Sequence, residues 1–168
     1  MQSKAKLFGH PVHQMLIVFP LGLLATAVVF DLIHIATDRP LMAVVSYWMM
    51  AAGVVGGLVA APFGWIDWGA IPKGTRAKSV GLTHGLGNVV VLLLFIGSWF
   101  LRRPAPEAPG MLAHSLAFLG AGLSLFTAWL GGELVDRLGV GVYDDAGLDA
   151  PNSLRARHEA PAARTATH

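Results

Sequence analysis

Gly9-His10-Pro11-Val12-His13-Gln14-Met15-Leu16-Ile17-Val18-Phe19-Pro20 decides how this chain is read, because two histidines three apart stand at the mouth of its first long apolar run. Three more such runs follow, so that candidate spans lie at about 14–35, 41–66, 83–101 and 111–132. Each approaches or exceeds the roughly 17–25 apolar residues with which a helix crosses a bilayer. Short connections between four spans make neighbours antiparallel. The expected fold is all-α, an integral-membrane four-helix antiparallel bundle over residues 1–142. From about Asp144 the chain turns to Ala, Arg, Pro and Asp without apolar periodicity, which predicts a disordered cytoplasmic tail over 143–168. His158 and His168 in that tail are not expected to bind anything.

The composition agrees with a membrane protein. Of 168 residues, 54% are hydrophobic and only 13% charged, against about 25% charged in a soluble domain. Cysteine is absent, which removes disulfides, thiolate nucleophiles, zinc fingers and cysteine-ligated iron–sulfur clusters from the chemistry of this chain. A formal net charge of +2, with its basic residues scattered, gives no nucleic-acid face. Lys4 and Lys6 resemble the start of a signal peptide, but the run behind them is too long and carries Asp31 and His34, so a retained first span is expected.

Pro11 suits the first turn of a helix, whereas Pro20 lies two turns further in and should kink it. Thr37-Asp38-Arg39-Pro40 reads as a tight turn, 69–81 as the longest loop, and 104–110 as a proline-rich connector. Gly53 and Gly57 allow close helix approach, and Trp65 and Trp68 suit a membrane interface. No long internal repeat is visible. Lys4, Lys6, Lys73, Arg76, Lys78 and Arg137 fall on one face against Arg39, Arg102 and Arg103 on the other, and the tail arginines add to the first. That face should be cytoplasmic, with both termini inside a bacterial inner membrane.

Stepping by three and four along each span aligns the polar and small residues on one face, as expected when they point into a bundle and leave leucine and valine to lipid. Because direction alternates, they sort into two layers. His10, His13, Asp67, His84 and Asn88 gather at the cytoplasmic end, and Asp31, His34, Arg102 and His114 at the other.

Imidazole and carboxylate are ligands of zinc, manganese or non-haem iron, which makes His10, His13, Asp67 and His84 a candidate divalent-metal set. Two facing histidines can instead hold the iron of a b-type haem, with His13 and His84 as the candidate pair. The same groups can also serve only as helix-fastening polar contacts, or handle protons or a substrate. Asn88, one turn from His84, suits the orienting of an imidazole better than ligation. In the outer layer Arg102 can pair with Asp31, while a second haem at His34 would lie roughly 31 Å from His13, counted along the helix rise. No Ser-His-Asp set, phosphate-binding glycine loop or His-Glu-x-x-His is present.

Gly9-His10-Pro11-Val12-His13 with Phe19-Pro20, Asp31, Gly64-Trp65-Ile66-Asp67, His84 with Asn88, and Gly131-Gly132-Glu133-Leu134-Val135 resembles the bacterial membrane family catalogued as domain of unknown function 2231, over about residues 7–142. The resemblance implies four membrane helices and no settled activity. Relatives joined to a Rieske iron–sulfur domain imply a redox protein partner. His34 and His114 match no motif of that family. The resulting expectation is a membrane protein with a His/Asp site at its cytoplasmic end, binding metal or haem in a redox role. The competing readings are a non-catalytic scaffold or partner subunit, and a small proton or metal-ion transporter.

Overall fold

The computed structural model describes residues 1–154; residues 155–168, with His158, His168 and the rest of the expected tail, lie outside the described part. A two-stranded hairpin opens the chain, β1 (Lys6–Leu7) against β2 (His10–Pro11). Its two-residue turn, Phe8-Gly9, has φ of 50° and 86°, the positive pair that a tight primed turn requires. A Cβ at Gly9 would lie 2.8 Å from the Ser153 Cβ, so the glycine also admits the C-terminal segment.

The first span comes in two pieces, α1 (Val12–Leu16) and α2 (Val18–Thr37). Proline 20 has no N–H to offer the Leu16 carbonyl, and the helix breaks at Ile17, one residue beyond that carbonyl. Asp38 closes α2 in a left-handed conformation (φ 52°), its N–H bonded to the His34 carbonyl at 2.8 Å. Pro40 then starts α3 (Pro40–Ala70), which runs through Pro62. The loop expected over 69–81 shrinks to five residues, 71–75, because Thr75 Oγ1 accepts the Lys78 N–H and begins α4 (Arg76–Arg102). Helix α5 (Met111–Gly132) ends in one π-helical turn, Glu133–Arg137.

All four helical segments are long and apolar enough to cross a membrane. They form an all-helical, antiparallel four-helix membrane bundle. The outward residues include Phe19, Leu21, Val29, Leu32, Val55, Leu58, Leu93, Leu119 and Leu125. Leu24, Ala27, Met50, Val91, Phe95 and Ala117 fill the middle.

Packing divides the bundle into two helix pairs, α2 with α3 and α4 with α5. The pairs are built to one plan, although the sequence shows no long repeat. His13 and His84 are 71 positions apart, as are Leu24 and Phe95, and Asp31 and Arg102; Gly53 and Gly120 are 67 apart, as are Gly64 and Gly131. Within each pair the same positions meet. A Cβ at Gly53 would lie 2.7 Å from Leu24, and one at Gly120 would lie 3.0 Å from Phe95. Asp31 and Arg102, equivalent in the two pairs, touch each other, which places them on the pseudo-two-fold axis. Both pairs begin at the hairpin end, so that axis runs along the membrane normal.

Candidate functional site

At the hairpin end, His13 and His84 occupy matching sockets. The Nδ1 of His13 is 3.0 Å from the Ala60 carbonyl on α3, and the Nδ1 of His84 is 2.9 Å from the Thr127 carbonyl on α5. Four residues beyond each carbonyl stands a glycine. A Cβ at Gly64 would lie 2.8 Å from His13 Cε1, and one at Gly131 would lie 3.2 Å from His84 Cε1. Each ring therefore rests on bare backbone. A carbonyl only accepts, so it fixes the proton on Nδ1 and leaves Nε2 with a free lone pair. Eighteen residues make five helical turns, so His84 leaves α4 on the side that carries Arg102, and the same spacing separates His13 from Asp31 across the break at Ile17.

Asn88 supports the second socket. Its Nδ2 donates to the His84 carbonyl at 2.9 Å, and its Oδ1 accepts from Thr127 Oγ1 at 3.0 Å. The Nδ2 is nearly equidistant from the two ring nitrogens, at 3.5 and 3.3 Å. That places it over the ring face rather than along the Nε2 lone pair.

Asp67 and His10 stand apart from this pair. The Asp67 carboxylate accepts from Ser3 Oγ at 2.8 Å and from the N–H groups of Lys4 and Ala5 at 2.7 and 3.4 Å. It sits near the C-terminus of α3, where the helix dipole disfavours an anion, and the N–H groups of the N-terminal strap offset that field. His10 is exposed on β2, with Nε2 3.4 Å from Ser153 Oγ. Thus His10, His13, Asp67 and His84 do not gather into one ligand shell. Among the described residues no group of three His, Cys, Asp or Glu side chains is placed to hold a metal ion. The spacing of His10 and His13 placed both on one helix face, but His10 lies in a strand and the helix begins at Val12.

The opposite layer is more tightly built. Arg102 donates from Nη1 to Asp31 Oδ1 at 2.6 Å and from Nη2 to Oδ2 at 2.7 Å, and both side chains are wholly buried. Ser46 Oγ and Ser98 Oγ take further guanidinium protons at 3.3 and 3.2 Å. His114 stands beside this pair, its Nε2 4.0 Å from Asp31 Oδ1, with His34 stacked on it at 5.9 Å between ring centres. Ser46 was the site residue that sequence reading missed, since a short hydroxyl residue in an apolar helix gives no signal without knowledge of what lies opposite; Ser98 stands on the polar face of its span, one turn before Arg102.

Between the layers lies the apolar core of leucine, methionine, phenylalanine, valine and alanine, with no side-chain hydrogen bond across it among the described residues. A multi-pass membrane protein with one polar layer at each end of an apolar core is the class this fold defines. The family described as Predicted membrane protein (DUF2231) matches residues 9–144, from the turn of the hairpin past the π-helical turn, and the chain belongs to that family. Neither a curated protein nor a solved structure matches.

Proposed function

We propose that this protein is a small membrane redox module in which His13 and His84 together hold one b-type haem. The observation that carries the reading is the pair of matched sockets, each tying Nδ1 to a backbone carbonyl so that Nε2 carries the lone pair. Ligand histidines are held this way, with the far ring nitrogen fixed by an acceptor.

The donor set fits a haem better than a divalent-metal cage. Two imidazoles would suffice to hold a haem iron, whereas zinc or manganese would need further ligands, and the Asp67 carboxylate is turned to Ser3, Lys4 and Ala5. A bound haem would supply one-electron transfer. The protein's part is to orient the rings through Ala60 and Thr127, to shield them with apolar helices, and to hold Asn88 across His84. A redox protein docking at the hairpin end is the partner this reading implies. The apolar core disfavours the transporter reading, since among the described residues no polar track joins the two layers.

The same reading places the hairpin end on the cytoplasmic side of a bacterial inner membrane. Arg102 is buried, so it does not count as a flanking charge. Lys4, Lys6, Lys73, Arg76, Lys78 and Arg137 at the hairpin end then face only Arg39 and Arg103 at the other.

The deciding measurement is the absorption spectrum of protein purified from haem-supplied cells. A Soret band, with visible bands that change on reduction and vanish in both His13→Ala and His84→Ala, is the expected result. A colourless wild-type protein whose helices fold normally would instead favour the scaffold reading, in which these rings only fasten α1 to α3 and α4 to α5.

A further inference from the structure

The pseudo-symmetry breaks at the end away from the hairpin, where two buried ring nitrogens, Trp99 Nε1 and His114 Nε2, have no partner among the described residues. His114 Nε2 is buried and makes no hydrogen bond, yet the Asp31 Oδ1 lies 4.0 Å away. The matching position in the first helix pair, 67 residues earlier, is Tyr47, which stacks on Trp99 and carries no comparable charge. A groove of about 360 Å³, lined by Ile35, Met111, His114, Ser115 and Phe118, opens beside the ring. His114 therefore has a buried carboxylate on one side and an approach from outside on the other.

We propose that His114 is the acceptor of a proton-binding site at this end of the bundle, filled through the groove from the side of the membrane opposite the hairpin. The step is a simple uptake: a proton from water adds to the imidazole, which becomes an imidazolium with an N–H aimed at Asp31. Closing the 4.0 Å gap makes a charge-assisted hydrogen bond to an oxygen that Arg102 Nη1 now holds. Asp31 then serves two cations.

The groups facing the cluster are few. From α2 come Asp31 and His34, from α3 the neutral Ser46, and from α4 Arg102 with the neutral Ser98. The exposed His34 Nδ1 is 3.0 Å from the Arg39 carbonyl, so that ring is held as a stacking neighbour and not as a bond partner of His114. Among the described residues Asp31 is the one carboxylate in contact with His114. Arg102 is the tie between the two helix pairs at this depth, through Asp31 and Ser46, so proton binding at His114 is felt where the pairs meet. This inference does not depend on haem at the other end.

The experiment is a pH titration of the full chain in lipid nanodiscs, labelled with 15N at histidine and arginine, from about pH 8 to about pH 4.5, the range over which imidazoles change charge. His114 is assigned by the signal lost in His114→Gln. We expect the His114 nitrogens to pass from neutral to imidazolium, and the Arg102 guanidinium signals to move with the same midpoint. In His114→Gln the Arg102 signals should stay flat, while His34→Gln should leave their response intact. A His114 that stays neutral throughout, an Arg102 that ignores its titration, or an Arg102 response lost in His34→Gln would each overturn the proposal. Should His114→Gln fail to fold, His114 is assigned instead by its through-space contacts with the Phe118 ring, 6.2 Å away between centroids, and the wild-type comparison of the two midpoints decides.

Discussion

Arg102 clasps both oxygens of Asp31, at 2.6 and 2.7 Å, and the two residues hold the same position in the two helix pairs. A buried pair of this kind is poor evidence of net stabilisation, because removing both charges from water costs much of what their attraction returns. Removing one is different. Asp31→Asn leaves a buried guanidinium short of its counter-charge and should destabilise the fold by about 3–5 kcal/mol. Asp31→Leu combined with Arg102→Leu should cost far less. Unfolding in mixed detergent micelles measures both; equal losses would show that the clasp acts by shape and not by charge.

Equivalence on the axis makes a sharper prediction. Exchanging the two residues, Asp31→Arg with Arg102→Asp, should restore most of the stability that either single reversal destroys, since the axis maps one site onto the other. Recovery should be incomplete. Ser46 and Ser98 serve the guanidinium where it now stands, and their counterparts by the same spacings are Ala113 and Ala27. Thermal unfolding of the two single variants and the double variant reads the outcome, and a double variant no better than its worse parent would deny the two-fold relation.

The four spans and the Asp31–Arg102 contact were legible in the sequence, because apolar runs of membrane length and a lone buried carboxylate leave few alternatives. The twofold plan was not. It rests on which residues meet, and the matching positions share little chemistry: leucine answers phenylalanine at 24 and 95, and aspartate answers arginine at 31 and 102. Asp67 was misplaced for a related reason. Helix periodicity offers Asp67 only helix faces as neighbours, whereas Ser3 and the Lys4 and Ala5 N–H groups come from a strap whose own sequence carries no periodic signal. The Thr75 cap was readable and would have shortened the 69–81 loop.

The glycines beneath the histidine sockets can be tested one by one. Gly64→Ala would place a methyl 2.8 Å from His13 Cε1, a separation real structures do not tolerate, so the ring must leave the Ala60 carbonyl. Gly131→Ala meets His84 at 3.2 Å, where a small shift suffices. Ligand binding at the pair should therefore fall more in Gly64→Ala than in Gly131→Ala, read as the Soret absorbance per protein. A preparation without haem reads the same ranking as displaced 15N histidine shifts. The reverse order would mean that the His13 ring is free to move and the socket does not hold it.

Orientation and the strap share one last experiment, made clean by the absence of native cysteine. Asp38→Cys reports the turn after α2, and Lys73→Cys the turn after α3 at the hairpin end. In intact cells a membrane-impermeant maleimide should label the first and spare the second; the opposite pattern would invert the topology. Adding Asp67→Ala removes the acceptor of three hydrogen bonds that hold residues 3–5. Hydrogen bonds to a charged group are worth about 1.5–3 kcal/mol each. Losing the shortest, from Lys4 N–H, should by itself speed exchange of that amide by roughly 10- to 150-fold in purified protein. The helices should keep their slow exchange, because Asp67 binds the strap and nothing within the bundle. Acceleration spreading into α3 and α4 would show that the strap is part of the core's stability and not a cover over its end.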